Sequence, residues 1–536
     1  MALSQDRYTT HVVTRIEEYV NDSVPWQRSL WQLGTFLVLK EVVEYADQLR
    51  RGAIKDEGVR YVCQAAKEQC SKDPAVRETA IGNRLDTLLS NPKEFKNEYI
   101  SAELEHLANR VDQGYFGRLA AVLRSTAEQP SAERISRFIT AHLLDTELSS
   151  DAIRIWIHEI GERPAIYSVA DLCDSAAELV GQPLRKFAVV VPFRRFPDLG
   201  PRRPSDNADR SLSVLGMDAV REKLGSSSNE FDSLAGGVQV QVTARDPAAA
   251  VALTQELLSR LLARLSVSPA HAAAADLHDR AVVAGSRATY TLSQQRRSVR
   301  LPSIDLSRSI FKVRPYAEAA ALDDALELLA YFEQGTPGAA LTGGWAALES
   351  LLVLASEQDV LAADRLAAIV ACDFPRAELT WLAHARLDES QTHPAVLEAR
   401  SASTVTERVQ LLEKAIATGA GAAYIRPADI AGLSRITELL TDPADGLHKI
   451  QKSVTEALRR LYMQRNVVMH AGSLSSVTRR ATLRSVPSLA GAGMDRLVMA
   501  ASFAGVTPIQ LAARAESELR LLAASAPVRP LSGLLM

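Results

Sequence analysis

Near the end of this 536-residue chain stands Arg465-Asn466-Val467-Val468-Met469-His470, followed two positions later by Gly472. Arginine and histidine so arranged suit the movement of protons beside a phosphate. Histidine is the side chain that ordinarily changes charge near neutral pH, so it can take or give a proton. Arginine keeps its charge, and its planar fork can hold phosphate oxygens as negative charge builds on them. RNA carries its own nucleophile, the 2′-hydroxyl, so such a pair can serve cleavage without a metal ion. That reaction needs both a base and an acid, and one histidine per chain is an awkward supply.

On a helix, Asn466 and His470 are four residues apart and share a face, with Arg465 beside it. Gly472 is placed to end the helix. His470 then lies in the last turn, where the partial negative charge of the helix end favours a cation. Val467, Val468 and Met469 are expected to anchor the helix in a bundle while the polar groups point outward. A plainer reading stays open, in which Arg465 makes a surface salt bridge and His470 caps a helix. Asn466 likewise either meets a phosphate, pins His470, or caps a neighbouring segment.

A second patterned stretch, Trp345-Ala-Ala-Leu-Glu349-Ser-Leu-Leu352, lies about 120 residues upstream. Together the two motifs resemble the HEPN superfamily, over roughly residues 320–523. The resemblance implies a C-terminal antiparallel helical bundle. It implies a metal-independent endoribonuclease acting in antiviral defence or toxin-like abortive infection, leaving 2′,3′-cyclic phosphate and 5′-hydroxyl ends. His470 would be the general acid and base, Arg465 would stabilise the phosphate, and Asn466 would support them. A homodimer or higher homo-oligomer would bring two motifs into one cleft, and no cofactor or metal is implied. Glu349 would orient Arg465 or His470 across the bundle, or else pair with a neighbouring helix. Other members of the superfamily are inactive, so the alternative is an adaptor that dimerises and docks a defence-system partner protein. In one branch a tyrosine two positions after the histidine is modified. Here that position is Gly472, which puts control by that route in doubt.

Other clusters carry less. Arg194, Arg195, Arg202 and Arg203, with Arg296, Arg297 and Arg300, are the strongest basic groups, fit for RNA phosphates or simply for solvent. Because the chain has 61 Lys and Arg against 64 Asp and Glu, for a net charge of −3, any RNA surface must be a local patch. His158-Glu159 lacks the second histidine of a zinc protease helix, and no phosphate-binding loop of the GxxxxGK type occurs. Four scattered cysteines form no CxxC pair, which argues against a zinc knuckle or disulfide framework and for a reducing compartment. The pairs Gly236-Gly237 and Gly343-Gly344 suit turns or close packing. The N-terminus shows no signal peptide, and the most apolar helix, about 339–355, is short and carries Glu349. A soluble, cytoplasmic protein with no membrane contact is expected.

The elements that must position these residues follow from periodicity. The chain is 47% apolar and 23% charged, and long enough for two or three domains. A mainly α fold with a central α+β domain is expected, divided as 1–182 helical, 183–315 α+β and 316–536 helical bundle. Apolar residues recur at helical spacing over Val12–Val20 and Trp31–Val43. Further helices are expected near 102–111, 116–125, 131–142 and 152–160. Phe187–Phe193 and Val238–Thr243 read as strands of a small antiparallel sheet. Ala288–Leu292 and Ser298–Leu301 read as a hairpin or two neighbouring strands, and Asp246-Pro247 starts a helix. The bundle is expected as helices at 321–333, 339–356, 359–371, 375–385, 404–418, 427–440, 446–470 and 494–523. Loops are expected at 386–403 and 471–493.

Overall fold

The apolar stripes of the N-terminal third fold as the helices their spacing requires. The computed structural model describes residues 6–126, 128–162, 168–196, 211–268, 275–286, 288–292, 299–306, 317–524 and 530–535. The first helices are α1 (Arg7–Tyr19), α2 (Thr35–Arg50), α3 (Asp56–Lys72), α4 (Ala80–Leu89) and α5 (Glu98–Asp112). They are followed by α6 (Tyr115–Ser125), α7 (Ala132–Asp145), α8 (Ser150–Glu162) and α9 (Val169–Gly181). Asp6 caps α1 by accepting from the Tyr8 and Thr9 N–H groups. Val12, Val13 and Ile16 are then fully buried on one face. Trp31, read from its spacing as helical, instead precedes α2 in an extended segment.

The β-branched runs form a sheet. Its strands are β1 (Arg185–Arg195), β2 (Leu212–Leu215), β3 (Gly236–Ala244), β4 (Asp276–Leu277), β5 (Arg280–Val283) and β6 (Thr289–Thr291). Among the described residues the order is β2-β3-β1-β5-β6, with β4 also paired to β1, and every pairing is antiparallel. Alternation along β1 sends Val189, Val191 and Phe193 to one face, where they meet α11 (Pro247–Ser266). Val190 goes to the other face, toward Val220 and Leu224 of α10 (Met217–Leu224). Asp246 caps α11 with Pro247 in its first turn, as its sequence predicts. The hairpin partner of β6 is β5, not Ser298–Leu301. Val299–Leu301 lies outside any strand, and Ser298 lies outside the described residues.

The C-terminal segment is helical: α12 (Pro302–Leu306), α13 (Ala317–Leu329), α14 (Tyr331–Gln334), α15 (Pro337–Leu352), α16 (Leu361–His384), α17 (Pro394–Ser401) and α18 (Val405–Ala417). It continues through α19 (Pro427–Thr441), α20 (Pro443–Ala471), α21 (Arg479–Ala504) and α22 (Pro508–Ala524). The expected break between 371 and 375 is absent, since α16 runs through Pro375. Likewise α21 runs through Pro487, where a loop to residue 493 was expected. An interior proline costs about 3 kcal/mol. Both helices bury most of their surface, and that packing outweighs the local cost. The expected 386–403 loop contains α17. The expected 494–523 helix is divided at Gly505, which adopts φ 62°. Gly343 and Gly344 serve packing, because a Cβ on Gly344 would stand 2.1 Å from Phe332 Cζ.

The chain gathers into two compact units, and their membership crosses the compositional segments. One holds Met1–His142, Ile160–Asp174 and Arg297–Met536, and the other holds Leu143–Glu159 and Ser175–Arg296. Within the first unit the N-terminal helices join the C-terminal bundle through a buried group of charges. Arg28, 1% exposed at its side chain, donates to Glu378 Oε1 at 2.8 Å, Asp429 Oδ1 at 3.2 Å and Glu18 Oε1 at 3.1 Å. Arg435 joins Glu378 and Glu133, each at 3.0 Å, and Arg15 bonds both Glu18 and Glu133. Burial pushes the Glu133 carboxyl up, but Arg15, Arg435 and His11 hold it well below the usual carboxylate range. Beside this group Trp26 and Trp31 stack at 6.1 Å, and each meets Phe374 edge-on.

Candidate active site at the end of helix α20

Helix α20 is capped by Asp442, whose side chain accepts from the Asp445 N–H, and runs 29 residues from Pro443 to Ala471. It ends where the sequence predicts. Gly472 takes φ 62° and donates its N–H to Val468 O at 3.1 Å, a left-handed cap that suits glycine. Leu458, Leu461 and Val467 are buried and Val468 packs on the same core. Met469 does not anchor the helix as expected, because it is 60% exposed. In the last turn Met469, His470 and Ala471 are all exposed.

The residues of the two motifs lie in this first unit. The Trp345 ring is buried and packs against Tyr462 at 4.9 Å, fixing α15 against α20. Its indole N–H donates to Glu349 Oε2 at 2.5 Å. The same carboxylate oxygen lies 3.6 Å from Arg465 Nη2, with the two side chains 28% and 24% exposed. Arg465 Nη1 also donates to Asn466 Oδ1 at 2.9 Å. The guanidinium is thus aimed by a carboxylate and an amide, and remains partly open to solvent. Glu349 and Asn466 meet Arg465, and His470 stands one turn beyond Asn466. Five residues on an ideal helix rise about 7.5 Å and turn about 140°, so Arg465 and His470 of one chain leave the axis in different directions.

Residues that no motif indicated complete the surroundings. Gln464 is 1% exposed and its amide donates to Thr478 at 2.7 Å and Thr482 at 2.8 Å. This ties α20 to the start of α21 and closes the 472–478 loop after His470. A Cβ on Gly338 would stand 2.9 Å from Leu474, so the loop folds back over the first turn of α15. A polar residue in the apolar register between Leu461 and Val467 is the one sequence signal for Gln464. Glu41 and Glu44 of α2 also reach this region, and with more than 400 residues between them and their partners, spacing carries no trace of it.

The basic clusters stand differently. In the second unit, Arg194 donates to Leu277 O at 3.1 Å and lies 3.8 Å from Asp232, while Arg195 lies 3.9 Å from Asp276. Both sit within ion-pair range of carboxylates that offset their charge. Arg300 is exposed. Arg202, Arg203, Arg296 and Arg297 lie outside the described residues. Among the described residues no three His, Cys, Asp or Glu side chains gather as a metal site, and no single helix is long and apolar enough to cross a membrane. Compared with protein-family models, characterised proteins and solved structures, the chain matches none.

Proposed function

We propose that the protein is a metal-independent endoribonuclease of the HEPN type, acting in antiviral defence or toxin-like restriction of growth. The observation that carries this reading is the end of α20. There Arg465 is held by Glu349 and Asn466 while keeping part of its guanidinium open, and His470 is exposed on the next turn. His470 takes the proton of the RNA 2′-hydroxyl as that oxygen attacks the adjacent phosphorus. Arg465 stabilises the charge growing on the phosphate oxygens. The departing 5′-oxygen takes a proton from the partner's His470, and the products are a 2′,3′-cyclic phosphate and a 5′-hydroxyl. Because one chain brings one such histidine, on a different side of the helix from Arg465, the working site is composed from two copies.

The products test the reading. Incubation with an RNA oligonucleotide should yield 2′,3′-cyclic phosphate and 5′-hydroxyl ends, in EDTA as well as without it. The same oligonucleotide made wholly of 2′-deoxynucleotides should stay intact, and the mass in solution should be about twice the 58.2 kDa of the chain. Cleavage of the deoxy strand, or 3′-hydroxyl ends, would remove the mechanism. A strictly monomeric active enzyme would remove the shared site.

A further inference from the structure

The 472–478 loop begins at the glycine that ends α20, so whatever fixes the loop also fixes the turn carrying His470. Its main outside tether comes from the other end of the chain. Glu44 Oε2 accepts from the Val477 N–H at 3.0 Å and from the Ser476 hydroxyl at 3.1 Å. Three residues earlier on the same face of α2, Glu41 accepts from Arg460 Nε of α20 at 2.8 Å and from the Thr478 hydroxyl at 3.4 Å. Helix α2 therefore grips α20 with one carboxylate and the loop after it with another. Within the loop the bonds are local, with Ser473 to Ser475 at 2.9 Å and Arg479 to the Leu474 carbonyl. Thr478 is fixed through Gln464 at one end and Gly472 through the helix at the other; between them Leu474 packs against Gly338, and Glu44 supplies the polar hold on Ser476 and Val477.

We propose that Glu44 is a positioning residue for His470, acting through the 472–478 loop; what His470 then does rests on the nuclease reading above. The carboxylate stands where ionisation is costly. Its carboxyl is raised to about 7, chiefly by burial and further by Glu41, against the Val477 N–H, the Ser476 hydroxyl and Arg479, which pull it down. The position calls for an acceptor oxygen, and a neutral amide also supplies one.

The test uses the full chain with Glu44→Ala and Glu44→Gln. Hydrogen exchange is read over residues 466–478, and RNA cleavage is split into kcat and KM. Glu44→Ala should speed exchange in the loop and last helical turn by about 10–100-fold, with α2 itself unchanged. It should lower kcat by about 10-fold or more with KM within about 3-fold, because displaced groups lose the reacting geometry. Glu44→Gln should restore both to within about 3-fold of wild type. Wild-type exchange in Glu44→Ala, or faster exchange with full kcat, would overturn the proposal. A wild type that cleaves no RNA would instead end the nuclease reading, and the exchange arms would still decide whether Glu44 holds the His470 turn.

Discussion

Replacing His470 with alanine is expected to lower RNA cleavage by about 10²–10⁴-fold, the usual contribution of a positioned acid–base group. The side chain is exposed at a helix end, so its loss leaves the core unchanged and the urea midpoint should stay at the wild-type value. Arg465→Ala should cost about 10²–10³-fold through loss of charge stabilisation on the phosphate. Arg465→Lys should restore little, because an ammonium cannot keep Asn466 and Glu349 while presenting a fork to phosphate. Retained cleavage in both alanine variants would leave Arg465 a structural ion pair and make this end of the bundle a docking surface.

The second large effect is on stability. Glu378 is fully buried and takes hydrogen bonds from both Arg28 and Arg435. Glu378→Ala removes the carboxylate that Arg28 and Arg435 share, leaving Arg28 with Asp429 and Glu18 and Arg435 with Glu133, at a cost of about 3–5 kcal/mol. The unfolding midpoint in urea should fall accordingly. Gly432→Ala probes the same cluster from outside, because a Cβ there would stand 2.4 Å from both Arg28 Nη2 and Glu378 Oε1. Overpacking of this kind costs about 1–3 kcal/mol. Wild-type midpoints in both variants would mean that the cluster relaxes and contributes nothing to holding the two helical segments together.

What was legible in the sequence was local. The R-N-x-x-x-H spacing, the glycine stop and the Trp/Glu helix indicate side chains that the fold places near one helix end, and the β-branched run of β1 and the alternation in β3 mark the sheet. The expected break between 371 and 375 and the expected loop to 493 are instead helix running through Pro375 and Pro487, because burial of the surrounding helix outweighs a local penalty. Short strands such as β2 and β5 escaped notice, since four residues give too little alternation to stand out. Met469 looks like a core residue from its type alone, whereas in the last turn of α20 it is 60% exposed. Glu44 and Arg28 carry no signal at all, since their partners lie hundreds of positions away and only the tertiary fold brings them together.

The charge group around Arg28 also sets an order in time. Asp429 lies 401 residues after Arg28. At roughly 5–20 residues per second, a ribosome needs about 20–80 s to cover that distance. During that interval Arg28 has neither Glu378 nor Asp429 for much of the wait, and the N-terminal helices must keep it hydrated. The seat that α2 offers to the His470 turn likewise stands empty until more than 400 further residues have been made. A nascent chain therefore assembles its candidate cutting end only after the segments that hold it have already emerged.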